Sequence, residues 1–344
     1  MKSSIIRSAT ILGLSLWSWA LVAGADEGLR AAYERLAPAL TDNAFGRPIQ
    51  LESVDRDGHM SGRVYAVVDQ PLARLQGLRE RGAWCQLAAL HLNVKSCVPN
   101  AVDGEPGVTL YVGRKFYQAP EDAHRIDYRF QAGGANGALT TGMWAHEGPF
   151  GTGNYHVQLD AVALGPGRSF LRLTYGYDYG LLARVAMEGY FSTLGRDKVG
   201  FSRAEDGSLV QGTRGAVERN AMRYYLAVQA FLETLPVAEP RRFEARLNAW
   251  FDATERYHLQ LHELSKADYL RFKHRERRQV LDPQLRVGDV ILIQGEARAI
   301  ERLASEEGII LQDEVEHTVL HRHRAPIALV IAAAVILAAT ITPV

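Results

Sequence analysis

Few residues in this sequence stand at a spacing that does chemistry. His146-Glu147 lacks the second histidine that a zinc-protease helix needs. Gly151-Thr-Gly153 lacks the downstream glycine and the strand–helix setting of a dinucleotide site. Gly195-Arg196-Asp197-Lys198 follows a predicted helix instead of opening one, which is the wrong end for a phosphate cradle. It reads as a loop with an internal ion pair. His124, Asp127, His156 and Asp160 fall on neighbouring predicted strands and could meet as acid and base, but nothing in the sequence brings them together, so no catalytic residue is assigned. His317, His321 and His323 border an apolar run and read as part of a basic juxtamembrane patch more readily than as metal ligands. The only cysteines, Cys85 and Cys97, form no C-x-x-C pair, which excludes a zinc or thioredoxin-type site. An even count at short spacing predicts a disulfide if the chain reaches an oxidising compartment; two buried thiols are the alternative. No metal or cofactor is expected.

The pattern suits binding better than reaction. Tyr111, Phe116, Tyr128, Phe130, Trp144, Tyr155, Leu173 and Tyr175 lie on predicted strands and are the candidates to line an apolar hollow. Simple filling of the core is the plainer alternative. Gly113-Arg114-Lys115 could hold an anionic headgroup, Arg114 as a planar fork and Lys115 as a point charge, unless it is a solvated strand face. The basic run Arg271 to Arg278 could touch anionic lipid or simply be a solvated helix end.

The elements that would position these residues follow from periodicity. Leu29, Tyr33, Leu36 and Leu40 form one stripe of a short helix over 27–40. Gly62 to Val68 is a β-branched, aromatic strand, and Pro71 suits the start of the helix that carries Leu72, Leu75 and Leu78. Six strands are predicted next: His91–Cys97, Val108–Tyr117, His124–Gln131, Leu139–His146, Tyr155–Leu164 and Ser169–Tyr177. Turn signals such as Pro99-Asn100 and Gly165-Pro-Gly167 separate them. The period becomes helical from Tyr179 to Leu194, again from Ala216 to Leu235, and again over a long stretch from Arg242 to about Arg278.

Both ends carry targeting signals. Lys2 and Arg7, the apolar run Ile11 to Val22 and the small residues Ala23-Gly24-Ala25 predict a secretory signal peptide over 1–25; an uncleaved anchor helix is the alternative. Ala325 to Val344 has no charge and is long enough for one transmembrane helix. Lys plus Arg equals Asp plus Glu at 39 each, so no global charge favours nucleic acid.

The order strand, helix, six antiparallel strands, helix resembles the helix-grip fold of the START / polyketide-cyclase-like superfamily over residues 62–194. The opening Val64-Tyr-Ala-Val-Val-Asp-Gln-Pro-Leu72, with Trp84 downstream, carries that resemblance. Residues 26–278 as a whole resemble a family of uncharacterised, exported bacterial proteins, through Trp84-Cys85, His91-Leu-Asn-Val-Lys-Ser-Cys97, Gly113-Arg-Lys115, Gly195-Arg-Asp-Lys-Val-Gly-Phe201 and Glu218-Arg-Asn-Ala-Met-Arg-Tyr224. Leu285-Arg-Val-Gly-Asp-Val-Ile-Leu-Ile-Gln-Gly295 with Ala299-Ile-Glu-Arg-Leu303 resembles a TrkA-C (RCK C-terminal) module, and Arg322-His-Arg-Ala-Pro326 with the apolar run resembles the re-entry into membrane of sodium-coupled anion symporters. The expectation is therefore an α+β chain: a helix-grip antiparallel sheet with long C-terminal helices over 26–278, a small βαβ module over 279–320, and a span over 325–344.

These resemblances imply an exported protein, periplasmic or anchored in the inner membrane, that binds a lipid-like or apolar small molecule. One alternative is a fragment or fusion of a membrane transporter carrying a regulatory module. Another is a cyclase- or hydrolase-type enzyme on the same fold. A cytosolic module behind an exported body is a topological conflict. A C-terminal anchor on a periplasmic protein, or a reading frame joined to part of a neighbouring permease, would resolve it.

Overall fold

The alternation that runs from Ile49 to Tyr179 resolves into a single antiparallel sheet. The computed structural model describes the backbone of residues 15–281, apart from 135, 136 and 194. Its strands are β1 (Ile49–Arg56), β2 (His59–Val68), β3 (Val94–Val102), β4 (Glu105–Val112), β5 (His124–Gly133), β6 (Ala138–Glu147), β7 (Thr152–Gly165) and β8 (Arg168–Tyr179). They lie in the order β1-β2-β8-β7-β6-β5-β4-β3. The helical segment between β2 and β3 comprises α2 (Leu72–Leu75), a 3-10 turn over Gln76–Arg79 and α3 (Arg81–Ala88). Around the sheet lie α1 (Ser15–Thr41), α4 (Leu181–Ser192), α5 (Gly212–Glu233), α6 (Glu239–Glu255), α7 (His258–Leu261) and α8 (Lys266–Leu281).

Strand parity divides the core in two. Val64 and Ala66 of β2, Val157, Leu159 and Ala161 of β7, and Leu171 and Leu173 of β8 face α3 and α5 in the main core. Their neighbours Tyr65, Val67, Val162 and Phe170 face the other way and are covered by Leu29, Leu36 and Leu40 of α1. The apolar stripe expected over 27–40 thus has its partner on the outer face of the sheet. Within the described residues the helix extends back to Ser15.

The strand order and the gripped helix are those of a helix-grip fold, but the helix in the grip is α5. It lies over β1, β2 and β8 and buries residues on every side, charged ones included. Gly62 lets it approach: a Cβ there would stand 3.1 Å from the Ala221 Cβ and 3.2 Å from the Val217 carbonyl oxygen. The helix expected to close the sheet, Tyr179 to Leu194, becomes α4, whose Leu181 is 74% exposed. Three further boundaries differ from the expectation. A strand that the sequence did not announce, β1, forms the free edge beside β2. Pro99-Asn100 lies inside β3, where Pro99 faces Val108 across the ladder. The stretch Arg242 to Arg278 is broken into α6, α7 and α8.

Helix α8 docks on the edge strand β3 through a buried charge triad. Glu276 accepts hydrogen bonds from Lys95 Nζ at 2.9 Å and Lys273 Nζ at 3.0 Å. Lys273 also donates to the carbonyls of His91 and Val94, and Lys95 to those of Leu92 and Phe116. Of the basic run Arg271 to Arg278 only Lys273 is withdrawn into this triad; Arg271, Arg275, Arg277 and Arg278 remain exposed, as a solvated helix end would be. Lys273 is buried, Arg275 sits 3.8 Å from the Tyr117 ring centroid, and Arg277 sits 4.0 Å from that of Phe243. A disulfide joins Cys85 of α3 to Cys97 of β3, with the Cα atoms 5.1 Å apart.

No described helix is long and apolar enough to cross a membrane. The expected module over 279–320 and span over 325–344 lie outside the described residues, apart from the end of α8.

Candidate functional site

The most distinctive constellation is a group of tyrosines in the grip. Tyr128 comes from β5, Tyr155 from β7, Tyr175 from β8 and Tyr224 from α5, all on the side of the sheet that faces α5. Their rings form a chain. Tyr224 and Tyr175 stack with centroids 5.6 Å apart, Tyr175 meets Tyr177 at 6.1 Å, and Tyr177 stacks on Tyr155 at 5.1 Å. Their phenolic groups are close enough for Tyr175 to feel the charge of Tyr155, Tyr177, Tyr224 and Tyr128. The Tyr155 hydroxyl shares a hydrogen bond of 2.9 Å with Thr152. The hydroxyls of Tyr128, Tyr175 and Tyr224 have no hydrogen-bond partner among the described residues. None of these three hydroxyls is a sealed polar atom, so each keeps some accessible surface on the side of the sheet that faces α5 and can take a hydrogen-bonding partner there.

His91 closes the inner end of the chain. Its ring stacks on Tyr224 at 5.2 Å and approaches Trp250 at 6.5 Å. Its Nδ1 accepts the Asn93 N–H at 3.3 Å, and its Nε2 is buried without a partner. Burial, with Arg223, Lys273 and Lys115 adding positive charge, holds His91 well below the ordinary imidazole range. Burial also pushes Tyr128 and Tyr175 well above the ordinary phenol range, and Tyr224 upward. At neutral pH the whole row is uncharged: hydrogen-bonding groups set in aromatic surface, none poised near neutrality to shuttle a proton.

The outer end of the chain meets a gap in the sheet. The register between β5 and β6 stops at Arg129↔Trp144. Beyond it, residues up to Tyr128 remain paired with β4, and Ala145 and Glu147 remain paired with β7. The two halves splay, and a cleft of about 840 Å³ opens there. Its lining joins inward-facing Ile126, Ala145 and Tyr155 to outward-facing Arg125, Asp127 and Trp144.

Of the residues expected to line the hollow, the structure brings Tyr128, Tyr155 and Tyr175 together, with Phe130 and Leu173 in the same core. Phe130 packs against Trp84 at 6.4 Å. Tyr111 and Trp144 are placed differently. In β4 it is Val108, Leu110 and Val112 that face the core, so Tyr111 points outward. In β6 the inward residues are Leu139, Met143 and Ala145, so Trp144 lies on the outer face beside the cleft. Phe116 is 52% exposed, under the Arg114 guanidinium at 5.6 Å. The residues that sequence reasoning missed are Tyr224, Tyr177 and His91; Tyr224 lay in the helix expected from Ala216 to Leu235, but nothing marked that helix as the one in the grip.

Arg114 and Lys115 part company. Arg114 is exposed, whereas Lys115 turns inward to a second constellation. There Glu263, in the link between α7 and α8, accepts hydrogen bonds from Lys115 Nζ, from Lys198 Nζ at 2.5 Å and from Arg223 Nη2 at 2.9 Å. Lys198 therefore pairs across the fold, not within its own loop as expected. Burial alone would raise Glu263, but Arg223 and Lys115 hold it down to about 2. Lys115 is brought down to about 7 by burial and by Arg223, in spite of Glu263. The two shifts differ in their main cause: burial for Lys115, and the neighbouring positive charge for Glu263.

The remaining polar candidates are structurally employed. Asp160 accepts from Arg172 Nη2 at 2.8 Å and from Thr140 and Gln158. Asp127 accepts from Thr109 and Arg125. His156 stacks on His59 at 6.0 Å. His124 lines the cleft between β5 and β6. The proposed acid–base set is not assembled among them. At the surface Glu255, His258 and His262 place one donor atom each within 4.8 Å of the others, although the carboxylate already bonds both imidazoles.

Comparison with solved structures returns proteins of the helix-grip type. Human StAR-related lipid transfer protein 5 is 13% identical, with 49% of this chain and 90% of that chain aligned at a TM-score of 0.26. A START superfamily protein from Mycobacterium smegmatis is 17% identical over 40% of this chain and 94% of that one, at a TM-score of 0.27. The Zhui aromatase/cyclase from a Streptomyces species is 13% identical over 70% of this chain and 100% of that one, also at 0.27. Scores this low leave the fold assignment to the strand order and the gripped helix described above. No protein-family model matches the chain, and no curated protein matches it.

Proposed function

We propose that this chain binds an apolar, lipid-like small molecule between the sheet and α5, with the split between β5 and β6 as its entrance. The observation that carries the reading is the set of unpaired hydroxyls of Tyr128, Tyr175 and Tyr224 on the side of the sheet that faces α5, beside a row of rings that ends at Tyr155, which lines the cleft. Such a site supplies apolar area for affinity and a few polar groups for orientation. The binding reading is preferred to the enzymatic one because the interior groups stay neutral and the outer acids are already paired. The disulfide between Cys85 and Cys97 supports an exported protein, since such bridges persist in oxidising compartments.

The test is direct. The purified full-length chain is extracted with organic solvent and the extract analysed by mass spectrometry. Uptake of the uncharged probe N-phenyl-1-naphthylamine is followed by fluorescence, together with tyrosine emission. The expected result is a retained apolar compound or saturable uptake that Tyr155→Trp weakens. A chain that carries no such compound and takes up no probe would refute the reading.

A further inference from the structure

The second constellation, around Glu263, contains more positive charge than the fold itself uses. Lys115, Lys198, Arg219 and Arg223 converge there, and among the described residues Glu263 is the only acid that bonds any of them. Glu218 lies beside Arg219, but its oxygens are committed. They accept the Phe201 and Ser202 N–H groups and the Ser53 and Ser202 hydroxyls. Arg219 and Arg223 are 4% and 2% exposed and sit one turn apart on α5, a spacing at which like charges repel. Arg219 spends Nη1 on the Val199 carbonyl, and Arg223 spends Nη2 on Glu263 and the Leu261 carbonyl. The Nε of each is buried and has no acceptor. A buried N–H without an acceptor loses its hydration and gains nothing in exchange. Lys115 and Lys198, with side chains 32% and 29% exposed, connect this interior charge to solvent.

The chain builds this place from widely separated pieces. Gly113-Arg-Lys115, Gly195-Arg-Asp-Lys-Val-Gly-Phe201 and Glu218-Arg-Asn-Ala-Met-Arg-Tyr224 are sequence motifs singled out above; each sends one cation to Glu263, as Lys115, Lys198 and Arg223, and Arg219 is near enough to feel its charge. Gly200 is required by the packing of that loop on α5, because a Cβ there would stand 2.5 Å from Glu218 Oε2. Arg223 also adjoins Tyr224, whose ring belongs to the row in the grip.

We infer that Arg219, Arg223, Lys115 and Lys198 form a binding site for an anionic group, a carboxylate or a phosphate. The anion takes the Nε–H groups left over and offsets the charge excess around Glu263, as charge-assisted bonds to arginine commonly do. This deepens the reading above by giving the bound molecule a charged head. It rests on that reading only for the tail.

The experiment measures melting of the full-length chain with inorganic phosphate, with palmitate and with lysophosphatidate, each against sodium chloride at matched ionic strength. Affinity is then measured by calorimetry. The expected result is stabilisation beyond that of chloride, with an affinity about tenfold weaker or worse in Lys198→Ala and in Arg219→Lys, each losing one charge-assisted bond. Arg203→Ala, whose guanidinium bonds only the nearby Gly207 carbonyl, leaves affinity unchanged. Phosphate acting as well as the chain-bearing compounds identifies a free anion; much tighter binding of palmitate or lysophosphatidate identifies a headgroup. Either supports the site. No stabilisation by any of the three, or binding indifferent to Lys198→Ala and Arg219→Lys in variants that melt as the parent does, overturns it. Binding of the uncharged naphthylamine probe without any anion effect would sink this inference alone. An anion effect without probe binding would sink only the apolar reading.

Discussion

Replacing Glu263 by Gln tests how the appended helices are held to the grip. The amide keeps the shape and removes the charge that three cations share. The loss does not fall evenly. Lys115 and Lys198 keep about a third of their side-chain surface and can turn to water, so each contributes little. Arg223 cannot: its side chain is 3% exposed, and it is left as a buried cation without its partner. Removing one member of a buried pair costs about 3–5 kcal/mol, and that is the destabilisation expected from urea unfolding near neutral pH. Adding Arg223→Met should recover much of it, because the orphaned charge is then gone.

The pH dependence of this variant is equally specific. Glu263 titrates at about 2 in the folded chain against an ordinary value of 4.5, so its contribution is whole above about pH 4.5 and disappears as the pH falls toward 2. The stability gap between parent and Glu263→Gln should therefore close over that window. A gap below about 0.5 kcal/mol near neutrality, or one that persists unchanged at the acid end, would show that Glu263 does not neutralise Arg223 as described.

Other outcomes follow from single contacts. Gly62→Val should cost about 1–3 kcal/mol in urea unfolding, because the new side chain meets Ala221 and the Val217 carbonyl where α5 crosses β2. Glu276→Ala leaves Lys95 and Lys273 buried without an acid and should lower stability by about 3–5 kcal/mol; a loss under about 1 kcal/mol would mean that the surrounding carbonyls suffice. Reduction of the Cys85–Cys97 bridge, which closes a separation of 12 residues, should cost about 3 kcal/mol, seen as a lower melting temperature in reductant. Tyr175→Phe removes a hydroxyl without a partner, so the empty protein should be as stable as the parent or slightly more so, while affinity for a polar-headed ligand falls; a clear loss of stability would reveal a partner inside the chain.

Much of the sheet was readable because one face of each strand is apolar and the period is two. β1 escaped because it is an edge strand whose second half, from Ser53 to Arg56, is largely solvated and carries its one apolar residue, Val54, on the exposed face, so only Ile49 and Leu51 show the alternation. The placement of Tyr111 and Trp144 failed for a reason of parity. Aromatic size was allowed to outweigh the aliphatic residues on either side, yet Val108, Leu110 and Val112, or Met143 and Ala145, fix the inward face, and a shift of one residue reverses it. The choice of the closing helix failed because α4 is the more apolar segment to the eye, while α5 carries Glu218, Arg219 and Arg223. Those charges can be buried only because their partners arrive from Ser53, Ser202 and Glu263. Periodicity within a segment contains no trace of a partner so far away.

The position of α5 along the chain constrains how the protein matures. Every strand is synthesised before the element that covers the concave surface, and contacts such as Ser53 with Glu218 bridge 165 residues. Until about the last third of the described chain is available, the newly made sheet presents a bare apolar wall, a state that invites self-association. Folding should therefore be slow for a chain of this size. A product ending soon after β8 should need a chaperone, or precipitate, whereas one continuing through α8 should not.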